Sequence, residues 1–169
     1  MTPQSTSVVH SAFDRILEDT DWRIQDSQAA HWSAHDILDD LGRATMLATL
    51  LGGAFISTAS AITLAFPAIL RGSETAVSVS MFLLGSLVST LSVLLAVMRW
   101  PERAQAHLNA ANAYSTLRRK VEILRLGLPD SQAELPSIVS ELAHLSELSP
   151  AVPINIWNRA VRFRARRVP

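Results

Sequence analysis

Apolar positions are distributed very unevenly along the 169 residues of the chain. Residues 44–70, ATMLATLLGGAFISTASAITLAFPAIL, and residues 75–98, TAVSVSMFLLGSLVSTLSVLLAVM, are runs of 27 and 24 residues without an ionisable side chain. Each exceeds the roughly 20 residues an α-helix needs to cross a hydrocarbon core about 30 Å thick. Two such runs joined by four residues predict a pair of transmembrane helices rather than the buried helices of a water-soluble core. With no water in the bilayer, backbone polar groups are satisfied inside each helix, so the chain reverses only where it re-emerges. The turn 71–74, RGSE, fits that exit: Gly72 and Ser73 suit a tight reversal, and Arg71 and Glu74 reach the headgroups. The pattern predicts an all-α membrane protein built on an antiparallel two-span hairpin, with amphipathic helices before and after it.

The flanking regions carry helical periodicity instead of continuous apolarity. A helix over about 7–18 places Val9, Phe13, Ile16 and Leu17 on one face, with Trp22 and Ile24 near a connection. QAAHWSAHDILDDLGRAT then sets Ala30, Ala34, Ile37, Leu38 and Leu41 along a helix leading into the first span. After the second span, PERAQAHLNAANAYSTLRRKVEILRLGLP predicts a helix that accepts Pro101 in its first turn and ends at Gly127 and Pro129. Its apolar stripe is Ala106, Ala110, Ala113, Leu117, Val121, Leu124 and Leu128. A further helix over about 136–147 aligns Ile138, Leu142, Leu145 and Leu148. This divides the chain into an N-terminal helical segment (1–43), a membrane hairpin (44–98) and a C-terminal helical region with a basic tail (99–169).

Within the spans, small residues form stripes. Thr45, Thr49, Gly53, Ser57, Ala61 and Ala65 recur every fourth residue, a face that lets another helix approach closely. In the second span Ser78, Gly85, Ser89, Ser92 and Ala96 follow coiled-coil-like spacing, interrupted by Phe82. Two readings stay open: packing surfaces within the hairpin or between subunits, or hydroxyls facing a water-filled pore. Neither span carries the acid, base or charge pair with which transporters and proton pumps hold an ion.

Net charge near zero hides a segregation. Residues 1–43 hold 3 Arg and 8 acids, whereas residues 99–169 hold 11 Lys/Arg and 6 acids. Arg43 precedes the first span, Arg99, Arg103 and Arg118 follow the second, and Arg71 sits on the turn. The positive-inside bias therefore predicts an inner-membrane protein with both termini in the cytoplasm. Trp100 suits either an interfacial anchor or packing against a neighbouring helix. The N-terminus lacks the basic and apolar regions of a secretory signal, so no cleaved leader is expected.

Candidate chemistry is sparse. The absence of cysteine excludes thiolate metal sites, disulfides and a thiol nucleophile. His31 and His35, four residues apart, present two imidazoles on one face near Asp36 and Asp39. A zinc site takes three or four ligands, and the set is not completed, so they read as surface or packing histidines. Asp39 and Asp40 read as a solvated face. With no nucleophile–base pair, phosphate loop or cofactor motif, the sequence predicts neither an enzyme nor a bound cofactor. Arg159, Arg162, Arg164, Arg166 and Arg167 beside Trp157 and Phe163 suit an anionic membrane surface or the acidic N-terminal segment of a neighbouring subunit. A phosphate ligand is a further reading, but without a nucleic-acid-binding fold no nucleic-acid partner is expected.

AAHWSAHD, the tight two-span hairpin and RAQAHLNAANAYSTLRRKVEILRL together resemble the SLATT family, two-transmembrane effectors associated with bacterial nucleotide-signalling conflict systems. The resemblance covers about residues 29–128, with an echo in ELSPAVPINIW. Its most specific part is the helix after the membrane, where Ala104, His107, Ala111, Tyr114, Leu117 and Arg118 match the family's small residues followed by Tyr-x-x-Leu-Arg. The resemblance implies a homo-oligomer that forms pores or otherwise damages the host membrane in antiphage defence and abortive infection. It also implies a separately encoded nucleotide-producing or sensor protein, because the chain has no room for such a module. Failing that partner, a ligand site in the cytoplasmic helices would do the sensing. The residues alone leave a second expectation open, a non-conducting scaffold that recruits a soluble partner.

Overall fold

The computed structural model describes residues 3–66, 72–126 and 131–165, and among these every regular element is an α-helix. The order is α1 (Pro3–Ala65), α2 (Glu74–Met98), α3 (Trp100–Arg125), α4 (Ser131–Leu148) and α5 (Ile154–Ala165).

Helix α1 runs 63 residues without interruption. The connection expected near Trp22 and Ile24 does not exist, and Ile24 is fully buried. The reason is local: neither glycine nor a second proline occurs between Pro3 and Gly42, so nothing breaks the i→i−4 ladder. The helix ends two residues before Pro67, whose ring disfavours helical geometry in the residue preceding it. Arg71 and the residues from Pro67 to it lie outside the described part, but Gly72 and Ser73 form a turn. Gly72 has φ +90°, a conformation open to glycine and strained for other residues.

Helix α2 stops at Met98 because Pro101 has no N–H for the carbonyl four residues earlier. Arg99 takes the left-handed conformation (φ 50°, ψ 41°), donates its N–H to Leu95 O at 3.3 Å, and pairs with Glu102. Helix α3 begins at once, with Pro101 in its first turn as expected. Helix α4 starts earlier than the 136–147 read from the sequence and holds Pro136 inside it. The basic C-terminal stretch, read above for its charge alone, is helical as α5 up to Ala165.

The chain divides into two compact units. The first comprises Met1–Ile37 and Arg103–Pro169, the second Leu38–Glu102. In the first unit, Leu17 and Ile24 of α1, Tyr114, Leu117, Val121 and Leu124 of α3, and Leu135, Ile138 and Leu142 of α4 form one hydrophobic core, edged by Phe13 and Leu145. Lys120 of α3 bridges to Glu141 of α4 at 2.6 Å on the surface. Arg125 Nη2 reaches the buried Asp21 Oδ2 at 2.7 Å. Ile16 and Leu148, expected on inward faces, are exposed.

The second unit is of a different kind. Helix α2 buries none of its residues, and Val79, Phe82, Leu83, Leu87, Val93 and Val97 are all exposed. Within Ala12–Ala65 and Glu74–Arg125 the chain has two helical stretches long and apolar enough, by length and composition, to cross a membrane, and neither apolar window has a buried residue. Helices α1 and α2 come close at Gly52, where an added Cβ would lie 2.5 Å from Val88 Cγ2. Lower down, Gly42 lies against Trp100 and Pro101, with an added Cβ at 3.6 Å from each, so Trp100 packs on a helix.

Candidate functional site

In the first unit, the helix whose residues carry the family resemblance turns those same residues inward. His107, Ala111, Tyr114 and Leu117 of α3 are all buried, as are Ala104 and Ala110. The spacing 104, 107, 111, 114, 117, 121, 124 follows the 3.6-residue period and makes a continuous inner face. This corrects the stripe read from alanines, since Ala106 is exposed and Ala113 only half-buried, while Leu128 of that stripe and the expected helix end at Gly127 and Pro129 lie outside the described residues. An aliphatic reading passes over His107 and Tyr114, the two polar-tipped rings that occupy the inner positions. Arg118 lies at the edge of the face and pairs with Glu122 at 3.1 Å.

Helix α1 meets this face with Ala30, His31 and Ala34, all buried. The small alanines on both helices leave room for rings between them. His31 and His107 fill it, their Nδ1 atoms 2.9 Å apart. One nitrogen donates its proton and the other accepts, so in the neutral pair the two rings carry different tautomers. Tyr114 stacks on His31 at 5.5 Å and 21°. His35, one turn along α1, donates Nδ1–H to Ala104 O at 3.0 Å, and Trp32 meets His35 edge-on.

The electrostatics follow from the burial. Desolvation, reinforced by the charge of His107, lowers His31 to about 4, well below the ordinary imidazole range. His107 is lowered as well, first by burial and then by the charge of His35. Among the described residues no group of three or more His, Asp or Glu side chains is placed to hold a metal ion. His31 and His35 both lie in one helix–helix contact, where His31 meets a third ring that the sequence places 76 residues away from it.

The small-residue stripes belong to the second unit. Thr45 is buried, Thr49 and Gly53 are half-buried, and Ser57 and Ala61 are exposed. On α2, Gly85 is half-buried, whereas Ser78, Ser89 and Ser92 are exposed. An added Cβ at Gly53 or Gly85 would meet nothing within 4 Å. The close approach inside the unit is made at Gly52, one position off the predicted stripe. Hydroxyls along the two apolar stretches bond back to their own helices: Thr45 to Leu41 O, Thr49 to Thr45 O, Ser80 to Ala76 O, Thr90 to Ser86 O and Ser92 to Val88 O, all at 2.8–2.9 Å.

In the basic tail, Arg159 and Arg162 lie exposed on α5, while Ala160 is buried and Trp157 and Val161 are half-buried on its other side. Arg162 Nε donates to Asn158 O at 3.0 Å. The side chain of Arg164 and the whole of Arg166 and Arg167 lie outside the described residues.

No protein-family model, curated protein or solved structure matches this chain.

Proposed function

We propose that the second unit crosses a lipid bilayer as a helical hairpin with both termini in the cytoplasm, and that the chain is an oligomeric membrane effector. The observation that carries the membrane reading is that α2, a 25-residue apolar helix, buries none of its residues, beside an apolar stretch of α1 that has no buried residue either. In water, contiguous apolar surface of that extent drives association, whereas lipid is a solvent for it. Antiparallel pairing is supported by register. Gly52 faces Val88, Gly42 faces Trp100, and Phe55 and Ala59 line one groove with Ala76, Val77, Ser80, Met81 and Leu84, so numbers rise on one helix as they fall on the other. The orientation is supported by Arg43, Arg99, Arg103 and Arg118 at the ends of the spans.

The biological role rests on the resemblance to SLATT effectors: pore formation or membrane disruption in antiphage defence, downstream of a separately encoded nucleotide-linked sensor. Hairpins with two helices per subunit enclose no wide passage, so several subunits assemble, in closed cyclic symmetry in the simplest case. The test is dye release from vesicles loaded with the purified protein, with and without a nucleotide-synthesising partner. Partner-dependent leakage is the expected result. Vesicles that stay tight while the protein recruits a soluble partner would replace the pore with a scaffold. One observation favours that second reading: hydroxyls that bond back to their own helices need no water-filled path to satisfy them.

A further inference from the structure

The His31–His107 contact brings two buried titratable rings together in the first unit, tilted at 40° with centroids 5.2 Å apart. Both are almost wholly enclosed, at 3% and 5% exposure, with buried alanines at 30, 34, 104, 110 and 111 on the same two helices and Tyr114 stacked on His31. The titratable groups beside the pair are His35 from α1 and Tyr114 from α3. Along α1 the charged residues nearest to His31 are Asp26 and Asp36, five positions away on either side, of which Asp36 is exposed and Asp26 half-buried; along α3 the nearest to His107 is Arg103, which is exposed.

We propose that the His31–His107 pair is a proton-operated latch between α1 and α3, closed when the rings are neutral and opened by mild acidification.

The geometry sets the rule. With both rings neutral, one Nδ1–H donates across 2.9 Å to the lone pair of the other. One added proton keeps that bond but places a cation among alanines. A second turns both facing nitrogens into donors with no acceptor between them, and the rings separate. The pair therefore titrates as a unit. His35 adds a third imidazole, so any charge it gains opposes charge on His107.

The sign follows from linkage. Both rings have lowered proton affinity when the latch is closed, so the open form binds more protons once pH falls below the ordinary imidazole value of about 6.5. The latch is at full strength above that pH. It weakens as pH falls from there toward the value of about 4 for His31. Each proton taken only by the open form lowers the closed-to-open ratio roughly tenfold per pH unit, and two rings lower it up to about a hundredfold.

This inference concerns the first unit and stands whether or not the second forms a pore. The test is hydrogen–deuterium exchange on the full chain in detergent micelles, with amide protection at residues 30–35 and 104–114 corrected for intrinsic rates at pH 7.5 and pH 5.5. Protection in the wild-type chain is expected to fall by about ten- to a hundredfold. In the double variant His31→Phe/His107→Leu it is expected to stay level. Equal losses in both proteins would overturn the latch. Should the variant fail to fold, histidine-selective 15N NMR of the wild type decides instead, with the exposed His144 as reference ring. Rings at 31 and 107 that stay neutral while protection persists and gain charge as it is lost support the latch. Rings that gain charge with protection unchanged overturn it.

Discussion

Over residues 17–34, helix α1 turns Leu17, Ile24, Ala30 and Ala34 into a protein interior, while over residues 46–64 the same helix leaves Met46, Leu47, Leu50, Leu51, Phe55, Ile62 and Leu64 exposed. No break in the backbone separates the two regimes. The difference lies in what surrounds the side chains. In the first unit an apolar residue is stabilised by leaving water for a packed core, so its position on the helix matters. In the second unit apolar residues point in every direction, and what matters is the length and lack of charge of the run. An apolar side chain is therefore worth much more to the fold of the first unit than an equally apolar one is to the second.

The largest expected effect tests this directly. Leu117 is 1% exposed in the core and Leu87 is 56% exposed on α2. Leu117→Ala removes packed atoms and leaves a cavity, which destabilises by about 2–5 kcal/mol. Leu87→Ala leaves no cavity and shifts stability by no more than about 0.5 kcal/mol. Denaturation of the full chain in detergent, followed by circular dichroism, measures both. Similar losses would mean that α2 packs on protein at Leu87 and that the contrast between the units is wrong.

A smaller effect separates neighbouring glycines. At Gly52 a new Cβ would lie 2.5 Å from Val88 Cγ2, whereas at Gly53 it would meet nothing within 4 Å. Gly52→Ile thus forces α1 and α2 apart, at about 1–3 kcal/mol for an overpacked contact. The chain has no cysteine, so Phe55→Cys with Leu84→Cys, which line one groove, lets a bifunctional thiol reagent report the approach of the two helices. Gly52→Ile should lower the cross-linking yield and Gly53→Ile should leave it unchanged. If Gly53→Ile nonetheless reduces oligomer size, the stripe through Thr49, Gly53 and Ser57 contacts another subunit. Unchanged oligomers would remove that stripe from assembly.

The two long apolar runs were legible because their signal needs no partner: it is a property of 27 and of 24 consecutive residues. The stop at Met98 was equally local, set by Pro101. The histidine contact was half legible. His31 and His35 stood out by their spacing, and His107 and Tyr114 by their place in the resemblance. That His31 meets His107 depends on how α1 docks on α3, which no local pattern encodes. The alanine stripe misled because alanine occurs on both the exposed and the buried face of α3. The rings at 107 and 114, taken with Ala104, Ala111, Leu117, Val121 and Leu124, mark the buried face. In α1, helix continuity past Trp22 could be read from the missing glycines and prolines, a signal that outweighs the change in side-chain pattern there.

The smallest effects are expected where the first unit meets water, and they sharpen the contrast through salt. Lys120–Glu141 joins two side chains each nearly half exposed, so side-chain entropy and hydration offset most of its attraction. Lys120→Ala should cost about 0–1 kcal/mol and less at high ionic strength. Asp21–Arg125 differs in one respect, since the Asp21 side chain is only 7% exposed. Its Oδ1 is buried without a hydrogen-bond partner among the described residues, which leaves Arg125 to hold the carboxylate alone. Asp21→Asn weakens that charge-assisted bond and should cost about 1–3 kcal/mol, with weaker dependence on salt. The stretch 75–98 has no ionisable side chain to screen, so added salt should leave contacts along it unchanged. Titrating stability against sodium chloride for the wild type and both variants separates these cases. A salt response that survives Lys120→Ala but disappears in Asp21→Asn would show that the enclosed carboxylate, and not the surface pair, carries the electrostatic share of the first unit's stability.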